Sequence, residues 1–425
     1  MPADAASFFE AFFRELGSRG IPFAILHDYE RLPEQMTSDI DYVVRCQDLP
    51  KLLPIQRAVA KQQGWVLGSV VQAKLHAEYA VFFEKLNPSR FIQLDACGHY
   101  VERGCFILRD MQLLDNCRTH RFMKTPAPPA EFAYLLAKAL IKKKRLEPYL
   151  PRMKTLWEAD QIGAGRLFSE LMDGPADPVA ELCAKPEPDW EEKLHSRIRA
   201  QTRFGLFDLF KESLRAGRRI LSPAGMHMVI LGPDGVGKST LIARLSLPCF
   251  RRVKQFHFRP GILGKNSPGA VSQPHAQPPR SRLASLAKIF YYFVDHWLGY
   301  ILKIYPAKVR NELVVFDRSF EDTFVDPLRY RLSGGNGFAR WLNGLMPRAD
   351  LAIILDANPE ITHARKPELD VAELRKQRGI LQELAKHSDH CILVSAANTP
   401  DQVAHAVQQS MVAFLAKREE QRHPA

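Results

Sequence analysis

The sequence predicts an α/β protein with a parallel sheet in its C-terminal half, a smaller α+β domain at its N-terminus and a helical lobe between them. From Met226 onward, short apolar runs alternate with segments of helical periodicity, as strands and helices do in a parallel sheet. Apolar strands follow an amphipathic helix in residues 1–126, and residues 127–222 have mainly helical periodicity. A chain of 425 residues is too long for a single core. We therefore expect three regions, 1–126, 127–222 and 223–420.

The composition is that of a globular protein with a basic surface. Hydrophobic residues make up 46% and the net charge is +12, which suits an anionic partner such as a nucleotide, a nucleic acid or a membrane surface. Most of these charges are expected on an ordinary solvated face. The seven cysteines form no CxxC pair and are expected to be reduced, which indicates a cytoplasmic protein. The N-terminal segment is an amphipathic helix with acidic residues and is not a signal peptide.

Three aspartates mark the strands of the N-terminal domain. Asp39 and Asp41 alternate along the predicted strand Ser38–Val44, so both side chains point to the same face. Asp95 ends a second predicted strand, Phe91–Asp95. Two carboxylates on one face repel each other unless a cation lies between them. If the two strands are neighbours, the three aspartates can hold Mg²⁺ ions that orient a nucleoside triphosphate.

This arrangement resembles the nucleotidyltransferase superfamily, and the resemblance implies that Asp39, Asp41 and Asp95 are metal ligands. Members usually carry a Gly-Ser pair before these aspartates, whereas here Ser38 adjoins Asp39 and no clear Gly-Ser pair precedes it. Two alternatives stay open: an active transferase, or a binding or regulatory domain. His27 could help at this site, but a structural or surface histidine is the preferred interpretation.

The middle of the chain is predicted to be a helical lobe that packs on the first domain. Its boundary is the proline-rich stretch Pro126–Pro129. The predicted helical segments are Glu131–Lys144, Leu150–Ile162, Gly165–Met172 and Trp190–Ile220, with a linker or long loop at Asp173–Asp189.

The stretch MVILGPDGVGKST, Met228–Thr240, predicts a phosphate-binding loop. An apolar strand precedes the G-x-x-x-x-G-K-S motif, and an apolar helical segment, Leu241–Leu247, follows it. Glycines let backbone N–H groups turn inward around phosphate oxygens, and the next helix presents its N-terminus to the same anion. The predicted nucleotide-binding residues are Gly232, Pro233, Asp234, Gly235, Val236, Gly237, Lys238, Ser239 and Thr240.

The segments after this loop supply further candidates. Gly261–Pro279 is a predicted insertion near the substrate side. Leu283–Ile304 is a long apolar helix with internal charges, which argues against a transmembrane span; we expect a buried core helix, with an interfacial membrane helix as the lesser alternative. The predicted strand Glu312–Phe316 ends at Asp317-Arg318, and carboxylates at such strand ends lie at the active edge of parallel sheets.

These motifs resemble thymidylate kinase and related P-loop nucleoside-monophosphate kinases over about Met226–Lys417. The resemblance lies in GPDGVGKST with its acidic Asp234, in Asp317-Arg318, in Arg259 and in the arginine-bearing segment Arg365–Arg378. It implies ATP and Mg²⁺ as cofactors. Lys238 and the loop would hold the donor phosphates, and Ser239 with Asp317 would hold Mg²⁺. Asp234 would contact the acceptor, and Arg318, Arg259 and Arg365 would neutralise the transferred phosphoryl group.

The function expected from this resemblance is phosphoryl transfer to a nucleoside monophosphate such as dTMP, with a possible second nucleotidyltransferase activity. The alternative is a kinase of a sugar or glycan acceptor in surface-polysaccharide biosynthesis, with a non-catalytic N-terminal binding domain. A nucleic-acid-acting or membrane-surface ATPase ranks last, because the sequence has no basic patch interleaved with aromatics. Peripheral membrane contact stays possible. A homodimer is also possible, and Leu283–Ile304 is its candidate surface.

Overall fold

The structure is a computed structural model that describes residues 4–36, 39–172, 174–184, 189–200, 205–264 and 278–424. Ser38 and most of the expected insertion Gly261–Pro279 lie outside these residues, as does part of the expected linker Asp173–Asp189. The chain forms two compact units. The first contains residues 1–85, 90–217 and 419–425, and the second contains residues 86–89 and 218–418.

The first unit is built on a mixed five-stranded sheet. Its strands are β1 (Phe23–Ile25), β2 (Ile40–Val44), β3 (Trp65–Lys74), β4 (Ala77–Glu84) and β5 (Phe91–Cys97), in the spatial order β1-β2-β5-β4-β3. β2 and β5 are parallel, and every other neighbouring pair is antiparallel. Two small hairpins follow, β6 (Tyr100–Glu102) with β7 (Cys105–Leu108) and β8 (Arg118–His120) with β9 (Met123–Thr125).

One face of this sheet is covered by two amphipathic helices, α1 (Ala5–Ser18) and α2 (Leu49–Gln62). The buried side of α1 consists of phenylalanines and a leucine at helical spacing, and these pack with Ile40 and Tyr42 of β2. Tyr42 is fully buried, and its hydroxyl accepts a hydrogen bond from Gln56 Nε2. The alternation of β2 therefore sends Tyr42 into this core and Asp41 to the opposite face.

The opposite side of the unit contains a helical layer, as the sequence predicted. Its helices are α3 (Asp110–Leu114), α4 (Pro128–Ile141), α5 (Leu150–Ala159), α6 (Gln161–Leu171), α7 (Pro178–Ala184) and α8 (Trp190–Ala200). α7 lies where a linker or long loop was expected, and its buried Val179 and Leu182 explain why this segment is ordered as a helix. α9 (Leu206–Leu221) follows; it has no buried residue and extends past residue 217, where the main segment of the first unit ends. Almost every residue of α4 is buried, and its aromatics share a core with Val43 of β2 and Trp157 of α5. α4 thus lies against the sheet face that carries Asp41.

The second unit contains an all-parallel five-stranded sheet. Its strands are β10 (Met226–Leu231), β11 (Val253–His257), β12 (Leu313–Asp317), β13 (Leu351–Asp356) and β14 (Cys391–Ser395), in the order β11-β12-β10-β13-β14. The helices are α10 (Lys238–Ile242), α11 (Arg282–Gly299), α12 (Tyr305–Val309), α13 (Asp322–Val325), α14 (Asn336–Asn343), α15 (Pro359–Arg365), α16 (Val371–Lys386) and α17 (Pro400–Arg422). The central strands β10 and β12 are buried throughout, as their continuous apolar runs indicate.

Two helices of this unit differ from the expectation. The helix after the glycine loop was expected to include Leu241–Leu247, but α10 ends at Ile242. Pro248 disfavours helical backbone at the preceding residue, so a helix cannot continue easily through Leu247. Leu245 and Leu247 are nevertheless buried, so the apolar residues of this segment pack into the core from a turn.

The expectation of a buried core helix at Leu283–Ile304 holds for only one of its faces. α11 is followed by a π-helical turn at Tyr300–Ile304. Ile289 and Asp295 are fully buried, whereas Leu283 is 80% and Phe290 52% exposed. Among the described residues, we find no helix with both the length and the apolar character needed to cross a bilayer.

Candidate functional sites

The glycine loop lies at the carboxyl edge of the parallel sheet. It follows β10 directly, and Ile230 of β10 pairs with Asp317 at the end of β12. β12 lies on one side of β10 and β13 on the other, so the strand order changes direction at β10. Ligands of open parallel sheets bind at such a switch point, outside the carboxyl ends of the strands. The loop and Asp317 therefore meet where a ligand is expected.

Gly235 has a backbone conformation and surroundings that require a residue without a side chain. Its φ is +83°, in the left-handed region. A Cβ at this position would lie 2.9 Å from Lys366 Cβ and 3.0 Å from the carbonyl oxygen of Thr362. The loop is thus packed against the end of α15, and its amides can face inward at its tip.

Lys238 is buried at the start of α10, and its ammonium group is held by the loop itself. Nζ donates to the carbonyl oxygens of Gly232 at 2.6 Å and Pro233 at 2.8 Å. Burial lowers the pKa of Lys238 to about 8, and the Arg318 guanidinium lowers it further. The neighbouring Ser239 and Thr240 are exposed. A charged lysine inside a ring of carbonyls and amides is suited to bind phosphate oxygens.

Asp234 is the centre of a charged cluster. Its two carboxylate oxygens accept hydrogen bonds from Arg318 Nη2 and from Arg329 Nη1. Arg318 also donates from Nη1 to Asp322 at 2.6 Å. Burial alone would raise the pKa of Asp234, but Arg318, Lys238 and Arg329 lower it overall. Asp234 is therefore ionised and fixes two guanidinium groups beside the loop.

Asp317 has the features of an indirect magnesium ligand. It is buried, His257 Nδ1 lies 3.3 Å from its Oδ2, and its Oδ1 is buried without a hydrogen-bond partner among the described residues. Burial alone would raise the pKa of Asp317, but His257 and Lys238 lower it overall. An ionised oxygen without a donor beside the glycine loop, with the Ser239 hydroxyl next to Lys238, fits a hydrated Mg²⁺.

Arg259 is held on the side of the site formed by α11. Its Nη1 donates to the Tyr291 hydroxyl at 2.9 Å and lies 3.5 Å from the buried Asp295. The same carboxylate accepts the backbone N–H groups of Gly261, Ile262 and Leu263 at 2.7–3.0 Å. Asp295 thus fixes both the arginine and the chain that follows it.

The arginines of the segment Arg365–Arg378 lie apart from the Asp234 cluster and have partners of their own. Arg365 ends α15, and its Nη1 lies 3.5 Å from the carbonyl oxygen of Ala396, at the limit of a hydrogen bond. Arg378 of α16 forms a two-point ion pair with Asp356, with distances of 2.5 and 2.8 Å. The residue of this segment that packs on the loop is Lys366, against Gly235. The structure therefore does not bring Arg365 into contact with the Asp234 cluster.

The first unit brings the three predicted aspartates together. Asp41 and Asp95 are paired across β2 and β5, and one carboxylate oxygen from each of Asp39, Asp41 and Asp95 lies within 4.8 Å of the others. β2 begins at Ile40, so Asp39 is an exposed residue just before the strand rather than part of it. Burial raises the pKa of Asp95 to about 7, and the charges of Asp41 and Asp39 add to this effect. Such mutual repulsion is what a divalent cation would relieve.

Asp41 also contacts two basic side chains: Lys138, which the sequence analysis did not identify, and His27, which it gave only as the lesser alternative. Its Oδ2 accepts from Lys138 Nζ at 2.7 Å and lies 2.8 Å from His27 Nε2. His27 also lies 2.6 Å from Asp28 Oδ2. Burial would lower the pKa of His27, but its hydrogen bonds to Asp28 and Asp41 raise it overall. Burial would raise the pKa of Asp41, but His27 and Lys138 lower it.

Three residues of the candidate sites were not predicted, because only the tertiary fold brings them to these sites. Arg329 and Lys366 at the glycine loop, and Lys138 at the aspartates, belong to no motif of fixed spacing. A signal was available for Arg329. It lies 11 residues after Arg318, in a segment, Asp317–Arg331, that contains several aspartates and arginines. For Lys138, a lysine in the middle of the apolar helix α4 was the available signal.

The known proteins that resemble this chain match less than half of its length. A probable thymidylate kinase of Pyrobaculum aerophilum is 28% identical over 191 residues, which is 42% of this chain and 91% of that protein. A thymidylate kinase of an Exiguobacterium species is 25% identical over 218 residues, 47% of this chain and 97% of that protein. The crystal structure of thymidylate kinase from Ehrlichia chaffeensis aligns with 16% identity and a TM-score of 0.30, covering 44% of this chain and all of that one. The scan against known protein families found no match.

Proposed function

We propose that the second unit is an ATP- and Mg²⁺-dependent kinase that phosphorylates a nucleoside monophosphate, with dTMP as the first candidate. The single observation that carries this proposal is the Asp234 cluster, in which Arg318 and Arg329 are fixed beside the phosphate-binding loop of Lys238. Support comes from two thymidylate kinases of other organisms, whose nearly complete lengths match about 45% of this chain. Phosphoryl transfer needs mainly positioning and positive charge, and this cluster supplies both.

Each residue has a defined part in this proposal. Lys238 would exchange the carbonyl oxygens of Gly232 and Pro233 for oxygens of the donor phosphates. Ser239 and Asp317 would hold Mg²⁺, which supplies charge neutralisation across the phosphates when bound. Arg318 and Arg329 would approach the transferred phosphoryl group while Asp234 keeps them oriented. Arg259, held by Asp295 and Tyr291, would contact the acceptor phosphate.

The acceptor is tested by measuring ADP formation from Mg·ATP with dTMP, other nucleoside monophosphates, free sugars and glycan fragments. We expect turnover with dTMP and identification of dTDP as the product. Turnover with sugars or glycans alone would contradict the proposed acceptor and favour the alternative, a kinase of a glycan acceptor.

The phosphate-binding role is tested with Lys238→Ala. Loss of this ammonium should reduce kcat/KM by about 1,000-fold or more, because charge stabilisation of the transferred group is the main catalytic contribution. Lys376→Ala is the matched control, since Lys376 is an exposed lysine of α16 whose partner is Glu373. A Lys238→Ala protein that keeps full activity would refute the kinase proposal.

A second candidate function concerns the first unit, where Asp39, Asp41 and Asp95 lie within 4.8 Å of one another. Carboxylates in this number and spacing fit the divalent cations used in nucleotidyl transfer. We expect Mn²⁺ to bind the wild type and to bind Asp95→Asn far more weakly, with nucleoside-triphosphate turnover lost in the same variant. Mn²⁺ binding without any such turnover would identify a binding domain instead.

A further inference from the structure

A second group of potential metal ligands lies in the first unit, apart from the three aspartates. It consists of Cys46, which follows β2, His76 in the turn between β3 and β4, His99, which follows β5, and Asp110, the first residue of α3. β2 and β5 are parallel and therefore end at the same edge of the sheet, and antiparallel β4 begins there. The sheet topology thus brings four distant segments of the chain to one place.

The distances between these side chains match the distances between ligands of one zinc ion. Cys46 Sγ lies 3.6 Å from His76 Nδ1, and His99 Nδ1 lies 3.5 Å from Asp110 Oδ1. Tetrahedral zinc, with bonds of about 2.3 Å to sulfur and about 2.1 Å to nitrogen or oxygen, separates its ligand atoms by roughly 3.3–3.6 Å. Ligand atoms of Cys46, His99 and Asp110 all lie within 4.8 Å of one another, so these three close around one ion with shifts of about 1 Å. His76 adjoins the three through its contact with Cys46.

The kinds of side chain also distinguish this group from a magnesium site. One thiol, two imidazoles and one carboxylate suit zinc, whereas magnesium prefers oxygen ligands alone. We propose that Cys46, His76, His99 and Asp110 form a structural zinc site that ties β2, the β3–β4 turn, the end of β5 and α3 together. Cys46, His99 and Asp110 form the core of this site, and His76 would turn toward the ion as the fourth ligand. Four protein ligands leave no open position, which is the arrangement of structural rather than catalytic zinc.

The surroundings fit a site of this kind. A Cβ on Gly98 would lie 2.3 Å from Cys46 Sγ, so only glycine leaves room for the sulfur. Asp110 is oriented by backbone donors, with Cys46 N–H at 3.0 Å from Oδ2 and Met111 N–H at 2.7 Å from Oδ1. Such outer hydrogen bonds orient metal ligands. His99 Nδ1 accepts the N–H of Asp110 at 3.0 Å, and zinc bound at this nitrogen would replace that donor.

Zinc is bound by neutral imidazole and by thiolate, not by imidazolium or thiol. Zinc binding would therefore release the Cys46 proton, with the sulfur–hydrogen bond replaced by a sulfur–zinc bond.

The proposal is tested on the full chain after dialysis against a chelator. Zn²⁺ is added, excess metal is removed by gel filtration, and zinc per chain is measured by atomic spectrometry. We expect about one zinc per chain in the wild type, and a loss of affinity of roughly 100-fold or more in Cys46→Ser and in His76→Gln. Added Co²⁺ should give the thiolate-to-cobalt charge-transfer band in the wild type and not in Cys46→Ser.

Cys183→Ser is the matched control, because Cys183 is an exposed cysteine of the same unit. It should keep both the zinc content and the cobalt band of the wild type. Circular dichroism of each variant separates loss of a ligand from loss of the fold. The proposal is overturned if the wild type retains no zinc, or if folded Cys46→Ser and His76→Gln bind it as tightly as the wild type does.

Discussion

Asp234 receives hydrogen bonds from two arginines, and only one of them belongs to a recognisable motif. Arg318 follows Asp317 directly in sequence, whereas Arg329 reaches Asp234 because Pro327–Tyr330 turns back toward the loop. The adjacent Tyr330 is buried, and its ring stacks on Phe258 with centroids 4.2 Å apart. This packing fixes the turn from which Arg329 extends, so its guanidinium is positioned before any ligand arrives.

Replacing Arg329 by Gln should lower kcat/KM for the acceptor by roughly 10- to 100-fold, because a misplaced or missing charge weakens stabilisation of the phosphoryl group. The measurement is steady-state kinetics with Mg·ATP held at saturation. Arg340→Gln serves as the comparison, since Arg340 is exposed on α14 and its guanidinium lies over the Phe324 ring. Equal kinetics for the two variants would show that Arg329 has no part in the reaction.

Glu78 of β4 gives a prediction about pH and stability. Burial raises the pKa of Glu78 to about 7 from its usual value near 4.5. Between these values the folded protein keeps a proton that the unfolded chain has lost, so the free energy of unfolding should fall as the pH rises from about 4.5 to about 7. Glu78→Gln should reduce this fall and stabilise the protein at pH 8 by roughly 1–3 kcal/mol.

The measurement is urea unfolding at pH 5 and at pH 8. Glu158→Gln, at an exposed position of α5, should keep the pH dependence of the wild type. If Glu78→Gln keeps it as well, the carboxyl group of Glu78 does not titrate in this range.

At the scale of elements, the glycine loop depends on the end of α15. The close approach of Gly235 to Thr362 and Lys366 leaves no room for a methyl group, and its φ of +83° disfavours one. Gly235→Ala should therefore destabilise the loop by about 1–3 kcal/mol and weaken ATP binding by roughly tenfold or more. Isothermal titration with a non-hydrolysable ATP analogue measures the affinity.

Gly379→Ala is the control for this substitution. Gly379 lies within α16, and an added Cβ would meet no atom within 4 Å. Alanine is the better helix former, so this variant should be more stable by about 0.5–1 kcal/mol, with unchanged ATP affinity. Similar losses of affinity in both variants would contradict the role assigned to Gly235.

The elements also show how far the sequence could predict this molecule. The glycine loop and the strand alternation that separates Asp41 from Tyr42 were predictable, because motif spacing and strand alternation are local properties. The pairing of Asp41 with Asp95 was only a condition of the prediction, and the fold meets it. The exposed face of α11 was not, since Leu283–Ile304 is apolar on most sides and only the tertiary fold decides which side is covered. Lys138 reaches Asp41 from a residue 97 positions away, a distance that no local pattern encodes.

At the scale of the whole molecule, the two candidate sites belong to different units. Asp39, Asp41 and Asp95 lie in the first unit, and the glycine loop lies in the second. Asp41→Asn should therefore leave ATP-dependent phosphorylation within about twofold of the wild type, and Lys238→Ala should leave Mn²⁺ binding at the aspartates unchanged. Kinetics and Mn²⁺ titration of both variants would show any dependence of one site on the other.

The bonds of Lys238 to the Gly232 and Pro233 carbonyls have a consequence for the rate of nucleotide association. These carbonyl oxygens accept the hydrogen bonds that phosphate oxygens would otherwise accept from Lys238, so the loop keeps its shape without a ligand. An arriving nucleotide exchanges one set of oxygen partners for another and does not have to wait for the loop to fold. We therefore expect the observed rate in stopped-flow experiments to rise linearly with nucleotide concentration, without the plateau that a slow rearrangement would impose.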